Sequence, residues 1–595
     1  MCGFIGKIST DNINEEELKF SNRLIQCRGP DSKKNKHFKE NEFNFSLIFN
    51  RLSILDLSEN ADQPMSSNDG NSVLMFNGEI FNHQDLRKEL ETKNIKFNTN
   101  HSDSEVILHG LEYFGKKFIS QLRGQFSIFY INKRKKTILL ARDRVGQKPL
   151  YYHLSNNNLV IGSNLIAVSK LVHNKTISQS SINEYLMCGV ISSPNTIFEN
   201  IQKLKPAEII EIGYEDKLKI IDSEIFWKLA NFVDNKPFQS DEFFSILSDS
   251  ISIRNLADVP IANFLSGGID SSLIVMFQSL IQSKPNTFSV GYEDAKYDES
   301  KWSNLVSEKY STNHDLMFIN IDDLKNLVDD SLNIFDEPYA DPSVLPSYSI
   351  SKLISQNYKV AISGDGGDEL SGGYLRTHQT LNSINFNHAI LKIIYDMYPS
   401  YLGSGVNILR NSDNKIAAYS TYFEDKKLLN LLKIKQNNNF TEKFIKSDFT
   451  NYKNLMFTEY KFYLAEQMML KVDRTSMASS LEVRSPFVDH RIVEYLFSTD
   501  EKDYISKEPK FILKHLLADD FNSEFLNRKK MGFVFNVEDY IKNNILQIQN
   551  ILFNGLDIFQ KNSNQIKKLS TFYSRTNALR LWKMFTLQKF INSLK

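Results

Sequence analysis

The second residue is a cysteine, and a cysteine at that place can act without a histidine. If Met1 is removed, Cys2 carries a thiol and a free α-amine. An α-amine has a pKa of about 7.7–8.0, so it can serve as a base near neutrality. An N-terminal nucleophile can thus be activated by its own amine. Alone, Cys2 reads better as a small apolar residue that happens to follow the initiator methionine. Its company changes that reading. Arg28-Gly29-Pro30-Asp31, Arg51-Leu52-Ser53-Ile54, Asn77-Gly78-Glu79-Ile80 and Ser102-Asp103-Ser104-Glu105 follow in order. Arg51 can grip a carboxylate through two N–H groups. Glu79 and Asp103 can take an ammonium. The Asn77 amide and the Gly78 N–H can stabilise a tetrahedral oxyanion. The set suits a zwitterionic amino acid whose side-chain amide is to be cleaved.

A second kind of chemistry sits further along. Ser266-Gly267-Gly268-Ile269-Asp270-Ser271-Ser272 follows a predicted strand and opens a predicted helix. Small residues there let backbone N–H groups approach phosphate, and the helix dipole favours the anion. The motif lacks the lysine of a P-loop, and by itself it could be an ordinary tight turn. Ser363-Gly364-Asp365-Gly366-Gly367-Asp368-Glu369 also ends a predicted parallel strand. Ligands of open α/β sheets bind at the carboxyl ends of the strands, so both loops should face one crevice. Asp270 and Asp368 are then natural Mg2+ ligands, since Mg2+ takes one or two carboxylates plus phosphate oxygens.

The elements that must position these residues differ between the two halves. Up to about residue 210 the chain is strand-rich: GFIGKIS, FSLIFNRLSIL, SVLMFNGEIF, QFSIFYI, TILLARD and LVIGSN are separated by turn formers. The run Lys133–Lys136 reads as a solvated hairpin turn. Residues 213–239 are polar, without clear periodicity, and are taken as the connection. From 240 onward strands alternate with helices, which implies βαβ units and a parallel sheet. Beyond about residue 380 the chain, including MMLKVDRTSMASSLEVRSPF, reads as mostly helical. Arg474, Arg484 and Asp489 there are candidates for buried ion pairs that position the loops.

Composition narrows the class. The chain has 595 residues, 41% hydrophobic and 24% charged, which supports several packed domains. Lys+Arg and Asp+Glu are both 71, which argues against a broad basic footprint for nucleic acid. Cys2, Cys27 and Cys188 have neither metal-site nor redox spacing, and three is poor material for a disulfide framework. No signal peptide is evident, and no apolar run approaches the ~18 residues of a membrane span. A cytoplasmic location is expected.

The N-terminal set, with Cys2-Gly3, RGPD, RLSI, NGEIFN, SDSE and ARDRVGQKPLYY, resembles class II glutamine amidotransferases, which are N-terminal-nucleophile hydrolases. The C-terminal set resembles the ATP-pyrophosphatase-type domain of asparagine synthetases. It comprises the two glycine loops, Phe288–Gly291, Asp336–Asp341, Lys471–Arg474, Leu481–Phe487 and Arg528–Phe533. The resemblance implies an α+β sandwich of two antiparallel sheets with helices over residues 1–212. It implies an α/β parallel-sheet domain with a helical C-terminal part over 240–595. On the same basis Cys2 is the nucleophile, Asn77 and Gly78 form the oxyanion hole, and Arg51, Asn77, Gly78, Glu79 and Asp103 hold glutamine. Phe264, Leu265, Val290, Ser363 and Gly364 line the adenine and ribose of ATP. Ser266, Gly268, Asp270 and Ser271 hold pyrophosphate. Asp365 matches an acid important for acyl-adenylate formation, and Lys510 a lysine that offsets charge on the reacting phosphate. The implied reaction consumes glutamine, aspartate and MgATP, with no nucleic acid or membrane partner. Another carboxylate, such as a sugar acid or a peptide, is the alternative acceptor. A homodimer is the family-level expectation. Four positions depart from the family pattern: Cys27 before RGPD, Phe49-Asn50 before RLSI, and Lys514 where an arginine is common.

Overall fold

A computed structural model describes residues 2–292, 298–319, 326–435, 441–503, 508–528 and 535–594. Two six-stranded antiparallel sheets form the first half. One orders Gln202–Lys203, Tyr151–Leu154, Asn158–Gly162, Gly3–Ser9, Phe43–Arg51 and Ser32–Glu40. The other orders Lys219–Ile225, Glu208–Gly213, Thr137–Arg142, Gly124–Asn132, Ser72–Ile80 and Met65–Ser66.

Side chains alternate across a strand, so each strand feeds two cores. Phe4, Phe45, Phe49, Met75, Phe129 and Leu140 pack between the sheets. Leu74, Phe76 and Ile128 point the other way, onto Val106 and Leu111 of helix Asp103–Phe114. Ile5, Ile48 and Val160 meet helix Gln179–Cys188 and, further on, Trp582 of helix Arg575–Ser593. Both faces of each sheet are covered, which is why the central strands read as nearly continuous apolar runs rather than as clean alternation.

The second half carries one parallel sheet, ordered Asn313–Ile319, Asn286–Tyr292, Ile261–Phe264, Val360–Ile362 and Glu482–Arg484. Ile350 and Ile354 cover one face against Ala262, Phe288 and Val483. Leu273, Ile274 and Phe277 of helix Ile269–Ile281 share a second core with Leu265 and Ile362. No described helix is long and apolar enough to cross a membrane.

Two elements differ from the sequence reading. Lys219–Ile225, in the segment taken as a connection, is an edge strand of the second sheet. Its residues are mostly exposed, so it lacks an apolar signature. Glu482–Arg484, inside a stretch read as helical, is the fifth parallel strand. Three residues, two of them charged, carry no readable period.

Candidate functional sites

Cys2 stands immediately before strand Gly3–Ser9 of the first sheet, and Asn77 lies in strand Ser72–Ile80 of the second. The Cys2 backbone nitrogen donates to Asn77 Oδ1 at 3.0 Å. Both residues are buried. Asn77 Nδ2 is also buried, and among the described residues it has no hydrogen-bond partner. An idle buried donor costs roughly 1–3 kcal/mol, a cost that a ligand oxygen would remove. Gly78 has φ +154°, and a Cβ there would lie 1.9 Å from the Gln125 carbonyl oxygen, so the strand admits only glycine at this point. Burial raises the Cys2 thiol pKa, and the Leu52 N–H and Arg51 charge offset part of that.

Glu79 and Asp103 complete the polar wall. Burial and the neighbouring Asp103 push Glu79 well above the ordinary carboxylate range, against the pull of Arg484. Burial also raises Asp103, while His83 and the Ile80 N–H, 3.0 Å from Asp103 Oδ2, favour its charged form. Glu79 Oε1 is buried without a hydrogen-bond partner among the described residues. Arg51 is held by groups of the loop that follows it. Its Nη1 donates to the Ser58 carbonyl at 2.8 Å and to Asp62 Oδ1 at 2.9 Å. Its Nη2 holds the Leu55 and Asp56 carbonyls. The guanidinium therefore shapes the loop after RLSI.

The glycine loops of the second half lie at the carboxyl ends of adjacent strands, Ile261–Phe264 and Val360–Ile362. They touch through Asp270. A Cβ on Gly367 would lie 2.4 Å from Asp270 Oδ1, and one on Gly364 would lie 2.9 Å from Asp270 Cβ. Lys510 Nζ is 2.7 Å from Asp368 Oδ1 and also contacts Asp270 Oδ2. The two carboxylates expected to bind a metal thus converge on one cation. Asp365 accepts from Ser363 Oγ at 2.8 Å, and that hydroxyl also lies 3.0 Å from Ser485 Oγ. Phe264 ends strand Ile261–Phe264, and Leu265 follows it. The Leu265 N–H donates to the Phe288 carbonyl at 2.8 Å, which ties it to the strand carrying Val290. Ser266 and Ser271 face each other at 3.2 Å across the first loop, and Gly268 N–H donates to Ser266 Oγ.

Arg28, Lys148 and Arg528 join these surroundings without a role assigned from spacing, and Arg474 forms the buried pair expected of it. Arg28 donates from Nε to the Cys2 carbonyl at 3.2 Å and grips Asp473 with both terminal nitrogens at 2.9 Å. Arg474 continues the chain to Asp336, at 2.6 Å, and to Tyr151 Oη, at 2.8 Å. These buried pairs lock the halves together. Breaking such a pair from one side costs about 3–5 kcal/mol. Lys148 is fully buried, and burial brings its pKa down to about 8 despite Asp473 and Glu482. Arg528 reaches the first glycine loop, with Nη2 3.9 Å from where a Gly268 Cβ would stand. Lys529–Phe533 of its motif lie outside the described residues. A cavity of about 10 Å³, lined by Arg142, Gln147, Tyr151, Lys203, Asp473 and Arg474, lies between the halves.

A family model described as asparagine synthase matches residues 242–590, and one described as glutamine amidotransferase domain matches 1–223. Glutamine-hydrolysing asparagine synthetase 1 of Bacillus subtilis (strain 168) is 29% identical over 584 residues, covering 93% of this chain and 90% of that protein. Glutamine-hydrolysing asparagine synthetase 3 of the same organism is 26% identical over 572 residues, covering 90% and 87%. A solved structure of the allosteric regulatory enzyme of purine biosynthesis aligns with 13% identity and a TM-score of 0.29, over 54% of this chain and 80% of that one. The fold assignment rests on the chain's own sheets.

Proposed function

The chain belongs to the asparagine synthase family, and from that premise we propose that it makes asparagine from aspartate with glutamine as nitrogen donor and MgATP as activator. The observation that carries this reading is the pairing of two sites on one chain. One offers a thiol beside an idle amide donor; the other offers two carboxylates and a lysine at the ends of adjacent parallel strands.

In the first site, removal of Met1 would turn the nitrogen now held by Asn77 Oδ1 into the α-amine. That amine takes the thiol proton, and the Cys2 thiolate attacks the side-chain amide of glutamine. Asn77 Nδ2 and the Gly78 N–H receive the oxyanion. Glu79 and Asp103 hold the α-ammonium. The α-carboxylate would exchange with Asp62 on Arg51. Ammonia leaves, and water hydrolyses the thioester to glutamate. Asn77→Ala should lower glutaminase kcat by about 10²–10³, the usual loss of one oxyanion donor. Initial rates of glutamate release check this.

In the second site Ser266, Gly268 and Ser271 would cradle pyrophosphate, with Phe264, Leu265, Val290, Ser363 and Gly364 about the nucleoside. Asp270 and Asp368 would hold Mg2+, which neutralises phosphate charge when bound. Asp365 stands on the second loop where the carboxylate must approach. Lys510 offsets negative charge as the aspartate β-carboxylate attacks the α-phosphate. Ammonia then displaces AMP. The test is product analysis with purified protein, MgATP, aspartate and 15N-amide glutamine. Labelled asparagine with AMP and pyrophosphate is expected. Glutamate without AMP would sink the acceptor assignment and direct attention to other carboxylates.

A further inference from the structure

Arg484 comes from the second half but sits against the glutamine-side wall of the first. Its Nη2 is 3.2 Å from Glu79 Oε2. Its Nε donates to Glu482 Oε1 at 2.6 Å, and Nη1 holds the Arg254 and Leu256 carbonyls at 2.8 Å each. The side chain is wholly buried, so its direction is fixed by these contacts. Its backbone carbonyl accepts the Ser363 N–H at 2.9 Å, where the second glycine loop begins. We propose that Arg484 is a positioning residue that completes the glutamine pocket, holding the Glu79 carboxylate for the α-ammonium of glutamine.

This deepens, and rests on, the glutaminase reading given above. A lone carboxylate beside Asp103 in a buried site would tend to take a proton. A proton on Glu79 would remove its attraction for an ammonium. Among the charges that act on Glu79, Asp103 and Glu482 raise its pKa, while Arg484 and the amino-terminal charge lower it. Burial raises Glu482, but the amino-terminal charge, Arg484 and Lys148 together overcome it and bring its pKa down to about 2. Arg484 therefore opposes two carboxylates at once, and it links the glutamine pocket to the loop that carries Asp365. A glutaminase half without the synthetase half would lack this cation.

The experiment uses the full-length chain with Arg484→Gln and Arg484→Lys. Glutamate release gives KM for glutamine from pH 6 to 9, and the ammonia-driven reaction gives KM for ATP. We expect Arg484→Gln to raise the glutamine KM by about tenfold or more near pH 7, equivalent to about 1.4 kcal/mol. The rise should shrink as pH climbs and Glu79 ionises unaided. Arg484→Lys should recover most of the loss. If Arg484→Gln does not fold, Glu79→Gln must raise KM with no such pH dependence. An unchanged glutamine KM, or an ATP KM that rises in step with it at every pH, overturns the proposal alone. Absence of glutamate from the unsubstituted chain overturns the glutaminase reading and this proposal with it.

Discussion

Cys2→Ala is expected to abolish glutamate release from glutamine while ammonia-driven synthesis continues. The size of the first effect follows from covalent catalysis: deleting the nucleophile of such an enzyme costs on the order of 10⁴ or more in kcat. The reason for the second is spatial. Cys2 belongs to the first sheet, and its contacts run to Asn77 and Arg28, whereas the loops around Asp270 and Asp368 belong to a different sheet. The replacement removes one sulfur atom from a buried position, so its cost to the fold should stay within the range of small core deletions. The check is to assay one preparation twice, with glutamine and with ammonium chloride at pH 8. Loss of both activities would mean that Cys2 supports the structure. Retention of both would refute its role as nucleophile. An intact-mass measurement on the same preparation reads whether Met1 is gone, on which the amine-as-base step depends.

The two glycine loops and the N-terminal set were legible because glycine and cysteine are constrained locally. Gly367 must be glycine since Asp270 leaves no room for a Cβ, and Gly78 since its φ and the Gln125 carbonyl forbid one. Such requirements appear in the sequence as short motifs. The alternation of strand and helix after residue 240 was legible for a similar reason, because each burial pattern repeats within a few residues. What the sequence did not display was the interface. Arg28 and Asp473 are 445 residues apart, yet they form a bidentate pair that also touches the Cys2 carbonyl. Glu79 meets Arg484 in the same way. Both arginines lie in recognisable motifs, but a motif does not say which distant carboxylate it will face. Arg51 makes the complementary point. Its type and place predict a grip on a ligand, while its partners here are its own loop and Asp62. Conversely Arg474 and Asp489 do form the buried pairs expected of them, with Asp336 and with Arg254.

Lys510→Ala should produce the opposite dissection from Cys2→Ala. Lys510 occupies left-handed backbone, φ +59°, just ahead of helix Phe511–His515. A non-glycine residue in that region costs of order 1–3 kcal/mol unless its surroundings hold it there. Here the surroundings include Asp368 at 2.7 Å and Asp270. The ammonium reconciles two carboxylates that would otherwise repel, and it stands beside both glycine loops. Removing it strips the proposed phosphate crevice of the cation that pairs Asp270 with Asp368. By the scale of other transition-state charge stabilisers, acyl-adenylate formation should fall by about 10²–10³. The loss should be the same with glutamine or ammonia as donor, because it precedes the entry of nitrogen. Aspartate-dependent exchange of labelled pyrophosphate into ATP measures the step directly. Glutamate release from glutamine in the absence of ATP should persist near its unsubstituted rate. Lys510→Arg should restore little, since a planar fork cannot occupy the compact position of an ammonium between two carboxylates. If glutamate release falls as far as pyrophosphate exchange, Lys510 holds the halves in register rather than serving the phosphate. If exchange survives, the charge that meets the reacting phosphate must come from elsewhere, and Arg528 beside Gly268 is the next residue to replace.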